Sequence, residues 1–195
     1  MTPQQLLERA ALLRYLSRLL QPPAAGTGAE LASLAATIPE DLRVAGRELA
    51  SRFSEDSLEV EPEYHQLLGA RGVCRDCESD HGAPSLGVKA SLAEVTGYYQ
   101  AFGFAGAREV PAPADQVGVE LSFAGYLALK QAYALERGAA EEEGVTAEAY
   151  ARFAASHLRP FLGELLAELE EHAGQGSRYA EAARFAQQAL AHCEI

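Results

Sequence analysis

The apolar residues of this chain recur at helical spacing along most of its 195 residues. Between Pro3 and Leu20 the apolar residues recur at the spacing of an amphipathic helix. They are Leu6, Leu7, Ala10, Leu13, Leu16, Leu19 and Leu20. Val, Ile and Thr are sparse, and alternation of apolar and polar residues at period two does not persist anywhere. The sequence therefore predicts an all-α fold.

Proline, glycine and capping residues divide the periodic pattern into segments. Ser54 to Pro62 is predicted to be an acidic connector, residues 71–88 form the longest stretch without periodicity, and Thr146 resembles an N-cap. The predicted helices span about 3–20, 29–36, 40–53, 63–68, 90–102, 114–137, 146–157, 161–172 and 177–192. We expect a single domain of about eight to ten helices in two packed halves, about 1–103 and about 114–195, joined by a hinge linker at about 104–113.

The balance of charge narrows the class of partner. With 16 Lys and Arg against 28 Asp and Glu, the net charge is -12, so a nucleic-acid partner is not expected. An acidic surface suits a cationic partner, although it also keeps a protein soluble. No apolar run approaches the ~20 residues of a membrane span, and no signal-peptide core precedes the first helix. These features predict a cytoplasmic protein that does not insert into membranes.

The three cysteines do not make a disulfide framework. Cys74, Cys77 and His81 have a C-x2-C-x3-H spacing that could ligate a metal, but a fourth ligand is missing unless the fold brings in another His or Cys. A small metal-binding or redox-sensing module therefore stands as the alternative to a polar loop with incidental thiols. Cys77 and His81 have the elements of a thiolate–imidazole pair, but no oxyanion turn or orienting acid accompanies them, and no phosphate-binding motif is found. We therefore expect neither an enzyme nor a bound cofactor. His157 and His172 are predicted to be surface or helix-end residues.

The helix that follows Pro113 carries Glu120 among mostly apolar neighbours, with Gln116 one turn before it. A carboxylate on a helix that is buried on most sides is costly unless it is paired. Glu120 is therefore expected either to meet an internal partner or to line a cleft that receives a cation. Asp115 is expected to be a first-turn or N-cap acid.

Several short motifs occur in a characteristic order. They are Glu63-Tyr64-x-x-Leu67-Leu68, then Cys77-Glu78-Ser79-Asp80, then SLAEVTGYYQAFGF, then Asp115-x4-Glu120-Leu121-x-Phe123. In this order the chain resembles the TorD/DmsD/NarJ family of redox-enzyme maturation chaperones, and most closely the branch that serves type II enzymes of the dimethyl sulfoxide reductase family.

The resemblance implies an all-helical, non-enzymatic cytoplasmic chaperone. Such a protein binds the apo catalytic subunit of a molybdoenzyme, commonly through its twin-arginine leader, until the cofactor is inserted and export or assembly proceeds. The oligomeric state is left open between a monomer and a dimer that exchanges its halves.

Carried onto this sequence, the resemblance gives a set of client-binding candidates. The polar ones would recognise charge and hydrogen-bonding groups, and the aromatic one would provide apolar contact or cleft packing. Many members have Asp-His where this chain has Asp115-Gln116, so a function that rests on that imidazole is not expected here. The candidates are Glu78, Ser79, Asp80, Asp115, Gln116, Glu120 and Phe123.

Overall fold

The computed structural model describes residues 1–54, 57–69, 71–81, 88–105 and 112–195, with the backbone alone described at 57–59 and 88–91. Within these ranges the fold is all-helical and contains no strand, which confirms the predicted fold class. The α-helices are α1 Pro3–Leu19, α2 Thr27–Ala35, α3 Arg43–Arg52, α4 Ser57–Leu67, α5 Val88–Phe102, α6 Val117–Glu136, α7 Ala140–Phe153, α8 Arg159–His172 and α9 Arg178–Cys193. Most of the predicted linker, residues 106–111, lies outside the described residues.

Helices α1 and α6 form an antiparallel pair at the centre of the molecule. Ser17 Oγ, near the end of α1, donates a hydrogen bond to the carbonyl oxygen of Gly118, 2.7 Å away, in the first turn of α6. Further along, a Cβ atom at Gly125 would lie 3.3 Å from the carbonyl oxygen of Ala10. Glycine on α6 thus allows a close approach of the two backbones. Because α1 and α6 belong to different predicted halves, one core spans both.

An aromatic cluster fills the core between α5, α6 and α7. Phe123 has no exposed surface, and its ring centroid lies 4.8 Å from those of both Tyr99 and Phe153. Tilted and edge-to-face pairs at this distance are favourable beyond the apolar area that they bury. The cluster fixes the face of α6 that lies opposite its contact with α1.

Two predicted boundaries are wrong, for identifiable reasons. Helix α4 begins at Ser57 within the predicted acidic connector and continues through Pro62, because burial of Val60 and Tyr64 outweighs the backbone hydrogen bond that proline cannot make. Thr146 lies in the middle of α7 rather than at its start. Its hydroxyl donates to the carbonyl oxygen of Glu142, 2.7 Å away, so the helix accommodates it.

In the ranges that the structure describes, no helix combines the length and the hydrophobicity that are needed to span a bilayer.

Candidate functional site

The loop at 74–81 is paired with the start of α6. Cys77 and Gln116 form an isolated antiparallel bridge. On either side of it, the backbone N–H of Glu78 donates to the carbonyl oxygen of Asp115 at 2.9 Å, and that of Val117 donates to the carbonyl oxygen of Asp76 at 2.8 Å. The fold therefore brings together the two sequence segments that contain the predicted site residues.

Gln116 is the N-cap of α6, and its side chain is fully used by the protein itself. The Oε1 atom accepts hydrogen bonds from the backbone N–H groups of Gly118 and Val119, while Nε2 donates to the carbonyl oxygen of Leu20 at 2.8 Å and to Asp76 Oδ2 at 3.1 Å. Helix α6 thus begins at Val117 and not near Ala114. In the observed structure Gln116 acts as a capping residue.

Asp115 is buried, with 2% of its surface exposed, and it does not cap α6. Its Oδ2 accepts a hydrogen bond from the backbone N–H of Ser79 at 3.1 Å. Ser79 lies in the short 3-10 turn Glu78–Asp80, so the carboxylate of Asp115 holds that turn in place. Asp80, at the end of the turn, is exposed.

Glu120 has no exposed surface, and no N–H or hydroxyl donor of the described residues reaches its carboxyl oxygens, so the carboxyl can pair with the neighbouring carboxylate of Glu78 only while it keeps its own proton. Burial raises the pKa of this carboxyl well above its ordinary value, and the nearby charges of Glu78 and Asp115 raise it further. A carboxyl in this environment keeps its proton at a pH where an exposed glutamate has lost it. The described part of the chain supplies neither an internal ion pair for Glu120 nor solvent access to it.

Glu78 links the loop to the segment between α7 and α8. Its Oε2 lies 3.0 Å from Nδ1 of His157, a buried residue in the π-helical turn Ala154–Leu158. A carboxylate oxygen only accepts, so Nδ1 is the donor. The prediction that His157 lies at the surface is wrong, because the wider π turn directs its ring into the core. The ring nitrogen Nε2 is buried without a partner among the described residues. His172 is exposed in the last turn of α8, as predicted.

Two contacts fasten the outer side of the loop to α8. The guanidinium of Arg75 reaches Glu168 through Nη2 at 2.6 Å and Nε at 3.2 Å, and the backbone N–H of Arg75 donates to the same carboxylate. The ring of His81 lies between Glu164 Oε2 at 3.2 Å and the carbonyl oxygen of Arg75 at 2.6 Å. Sequence reasoning did not identify the acidic partners, because a pairing across about ninety residues leaves no local signal.

Phe123 differs from the polar candidates in what its side chain contacts. The ring is in the aromatic core, so its observed role is packing. Asp76 was not predicted, although it is half-buried, accepts from Gln116 and has its pKa raised by burial. The polar group that meets at the loop and α6 therefore comprises Asp76, Glu78, Asp115, Gln116 and Glu120, with His157 behind it.

The alternative of a metal module is not supported. No cluster of three or more His, Cys, Asp or Glu side chains with metal-binding geometry occurs among the described residues, which include Cys74, Cys77 and His81. Burial raises the pKa of Cys74 to about 11, so its thiol is not poised to become a thiolate ligand. Both ring nitrogens of His81 already face oxygen acceptors.

Comparison with known proteins decides the family. The profile of the nitrate reductase delta subunit family matches residues 21–167, well over half of the chain. The chain belongs to this family. The family comprises NarJ/TorD-type chaperones for the maturation of molybdoenzymes. The resemblance inferred from the sequence motifs is therefore confirmed at the level of the family. No curated protein and no solved structure gives a significant match.

Proposed function

We propose that this protein is a cytoplasmic, non-enzymatic chaperone that binds the apo catalytic subunit of a molybdoenzyme of the dimethyl sulfoxide reductase family and its twin-arginine leader. It holds the client until the molybdenum cofactor is inserted and export or assembly proceeds. Membership of the nitrate reductase delta subunit family supports a molybdoenzyme client. The order of the sequence motifs supports the dimethyl sulfoxide reductase branch.

The observation that carries the proposal is the fully buried carboxyl of Glu120, which lies beside Glu78 and Asp115 and is reached by no N–H or hydroxyl donor of the described residues. Ionising a buried carboxyl that has no such donor costs free energy, commonly about 1–3 kcal/mol, and a group of this kind calls for an explanation. A guanidinium group carries five N–H donors in a planar fork that matches carboxylates. An arginine of the leader would satisfy both oxygens of Glu120 and offset the acidic charge around them.

Access to Glu120 requires the loop at 74–81 to move, because the loop lies across the start of α6. Its outer attachment to α8 includes the pair of Arg75 and Glu168, in which the arginine side chain is half exposed. A partly exposed ion pair contributes less to stability than a buried one, so client binding can offset the loss of this attachment. We therefore assign the loop as the cover of the site and the polar group beneath it as the receptor of the cationic segment.

The test is co-purification of the tagged protein with its client from the native host, followed by affinity measurement with the client's leader as a synthetic peptide. Glu120→Gln keeps the size of the side chain and removes its capacity for negative charge, so we expect binding of the arginine-bearing peptide to weaken about tenfold or more. The matched control is Glu141→Gln, at an exposed position in the first turn of α7.

Equal affinity of the Glu120→Gln variant and the original protein would contradict the assigned site. Recovery of no molybdoenzyme subunit, under conditions in which the host expresses one, would contradict the proposed client.

A further inference from the structure

The ring of His81 holds the loop at 74–81 through two contacts. Nδ1 lies 3.2 Å from Glu164 Oε2 on α8, and Nε2 lies 2.6 Å from the carbonyl oxygen of Arg75 in the loop itself. The side chain of His81 is only 3% exposed, and its ring packs against that of Phe161 with 5.3 Å between the centroids. This packing keeps the ring between the two oxygen atoms.

Neither of these oxygens donates a hydrogen bond to the ring. A carbonyl oxygen only accepts. The side chain of Glu164 is 64% exposed, and an exposed carboxyl is ionised at neutral pH, so it accepts as well. Both ring nitrogens must then donate, and only the doubly protonated imidazolium form of histidine carries a proton on each nitrogen. The two contacts of His81 are therefore complete in the cationic form alone.

The other charged groups near the ring do not replace these two acceptors. The guanidinium of Arg75 is directed to Glu168 at 2.6 Å, and Glu168 lies close enough for the charge of His81 to act on it. No further hydrogen bond or ion pair joins the ring of His81 to a described residue. The titratable or charged groups around the ring in the described residues are Glu164 and Glu168 on α8, and Arg75, Glu78 and Asp80 in the loop.

A change in the charge of the ring breaks one of the contacts. Histidine ordinarily changes charge between about pH 5 and pH 8. A neutral ring donates from one nitrogen only, and its other nitrogen presents a lone pair to an acceptor oxygen. The loop then loses either its attachment to α8 or the contact that closes it on the carbonyl group of Arg75. Because the lost hydrogen bond has a charged donor, we expect the open fraction of the loop to rise about tenfold.

We propose that His81 is a pH-sensitive attachment of the loop at 74–81, which holds the loop closed over Glu120 in its imidazolium form and releases it when the ring loses a proton. The inference rests on the proposed function in one respect, namely that the loop covers the client site. A rise in pH would open the loop and also favour the ionised form of Glu120. At about pH 8 the ring is already neutral, so proton release on client binding at that pH reports on Glu120 alone.

The test uses nuclear magnetic resonance of the full chain without a client. Nitrogen chemical shifts should show that both ring nitrogens of His81 are protonated at about pH 6. The backbone N–H groups of Glu78 and Val117 pair the loop with the start of α6. Their protection from hydrogen exchange, corrected for the intrinsic rate, should fall about tenfold between about pH 6 and about pH 8. The backbone N–H of buried Leu13, within α1, is the internal control and should keep its protection.

Two variants separate the titration of the ring from a merely structural role. Glu164→Gln supplies an amide N–H that a neutral ring can accept, so the loop should stay protected at about pH 8. His81→Gln cannot be protonated, so the protection of the loop should not depend on pH. The matched control is His172→Gln, at the exposed end of α8, which should keep the pH dependence of the original protein. Circular dichroism verifies the fold of each variant.

A neutral His81 ring at about pH 6, equal protection of the loop at both pH values in the original protein, or an unchanged pH dependence in His81→Gln would each overturn the proposal. A pH dependence that vanishes in Glu120→Gln and persists in His81→Gln would assign the response to Glu120 and would also overturn it. The client proposal is judged separately, by peptide affinity. A client peptide that fails to bind while the loop still responds to pH through His81 would contradict the client site and not this attachment.

Discussion

The ring of His157 donates from Nδ1 to the carboxylate of Glu78, with 3.0 Å between the nitrogen and Oε2. The contact joins the loop at 74–81 to a π-helical turn, an element that is frequently found at functional sites. Both side chains are largely buried, at 2% and 15% exposure. The position of the loop over Glu120 therefore depends on a residue about eighty positions away.

Replacing His157 with phenylalanine should destabilise the protein. The new ring fills a similar volume but cannot donate, so Glu78 keeps its desolvation cost without its partner, and we expect a loss of about 1–3 kcal/mol in the free energy of unfolding. Urea denaturation measures it. His172→Phe, at the exposed end of α8, serves as the control and should have little effect. An equal response of the two variants would show that the contact between His157 and Glu78 has no energetic role.

The titration of Glu120 should contribute to the pH dependence of the free energy of unfolding. Its pKa is raised in the folded state, so its stabilising contribution is full below about pH 4.3, the ordinary pKa of glutamate in an unfolded chain, and is lost as the pH rises through the folded-state pKa. Glu120→Gln abolishes this titration. The free energies of unfolding of the two proteins should therefore be close at pH 4, with the variant gaining relative to the original protein as the pH rises.

Comparing the two profiles separates the effect of Glu120 from that of the other ionisable groups around it. Those groups are Glu78 on the loop, Asp115 before α6, His157 behind Glu78 and Tyr99 on α5. Parallel profiles from pH 4 to pH 8 would mean that Glu120 titrates normally in the folded protein.

If an arginine of the client binds at Glu120, binding should release a proton. The carboxyl is held neutral by burial and by neighbouring acids, and a guanidinium favours its ionised form. Affinity for the leader peptide should therefore rise with pH up to the folded-state pKa. Isothermal titration calorimetry in two buffers of different ionisation enthalpy counts the protons, and Glu120→Gln should remove the release. Equal binding heats in the two buffers would contradict the linkage.

The fold could be predicted because helical periodicity reports directly on which residues are buried. The site could be predicted only in outline. Asp115 and Gln116 were expected as a cap and a recognition group, but the fold assigns the cap to Gln116 and makes Asp115 hold the turn at Ser79. The role of Asp115 depends on a contact across 36 residues, which a local pattern does not contain. The capping contacts of Gln116 are local, but glutamine is not among the residues that commonly cap a helix. The burial of His157 was missed because a π turn has no distinctive sequence signature.

Replacing Gly118 and Gly144 with alanine should change the stability of the protein in opposite directions. A Cβ atom at Gly118 would lie 3.0 Å from the carbonyl oxygen of Ser17 and 3.0 Å from Gln116 Oε1. The pair of α1 and α6 would have to separate or the cap would have to shift, at a cost of about 1–3 kcal/mol. At Gly144, in α7, the added atom meets nothing within 4 Å, so alanine should stabilise the helix by about 0.5–1 kcal/mol. Thermal and urea denaturation of both variants measure the difference. A gain in stability of the Gly118→Ala variant would mean that the fold requires neither the close approach of α1 and α6 nor the observed position of the Gln116 cap.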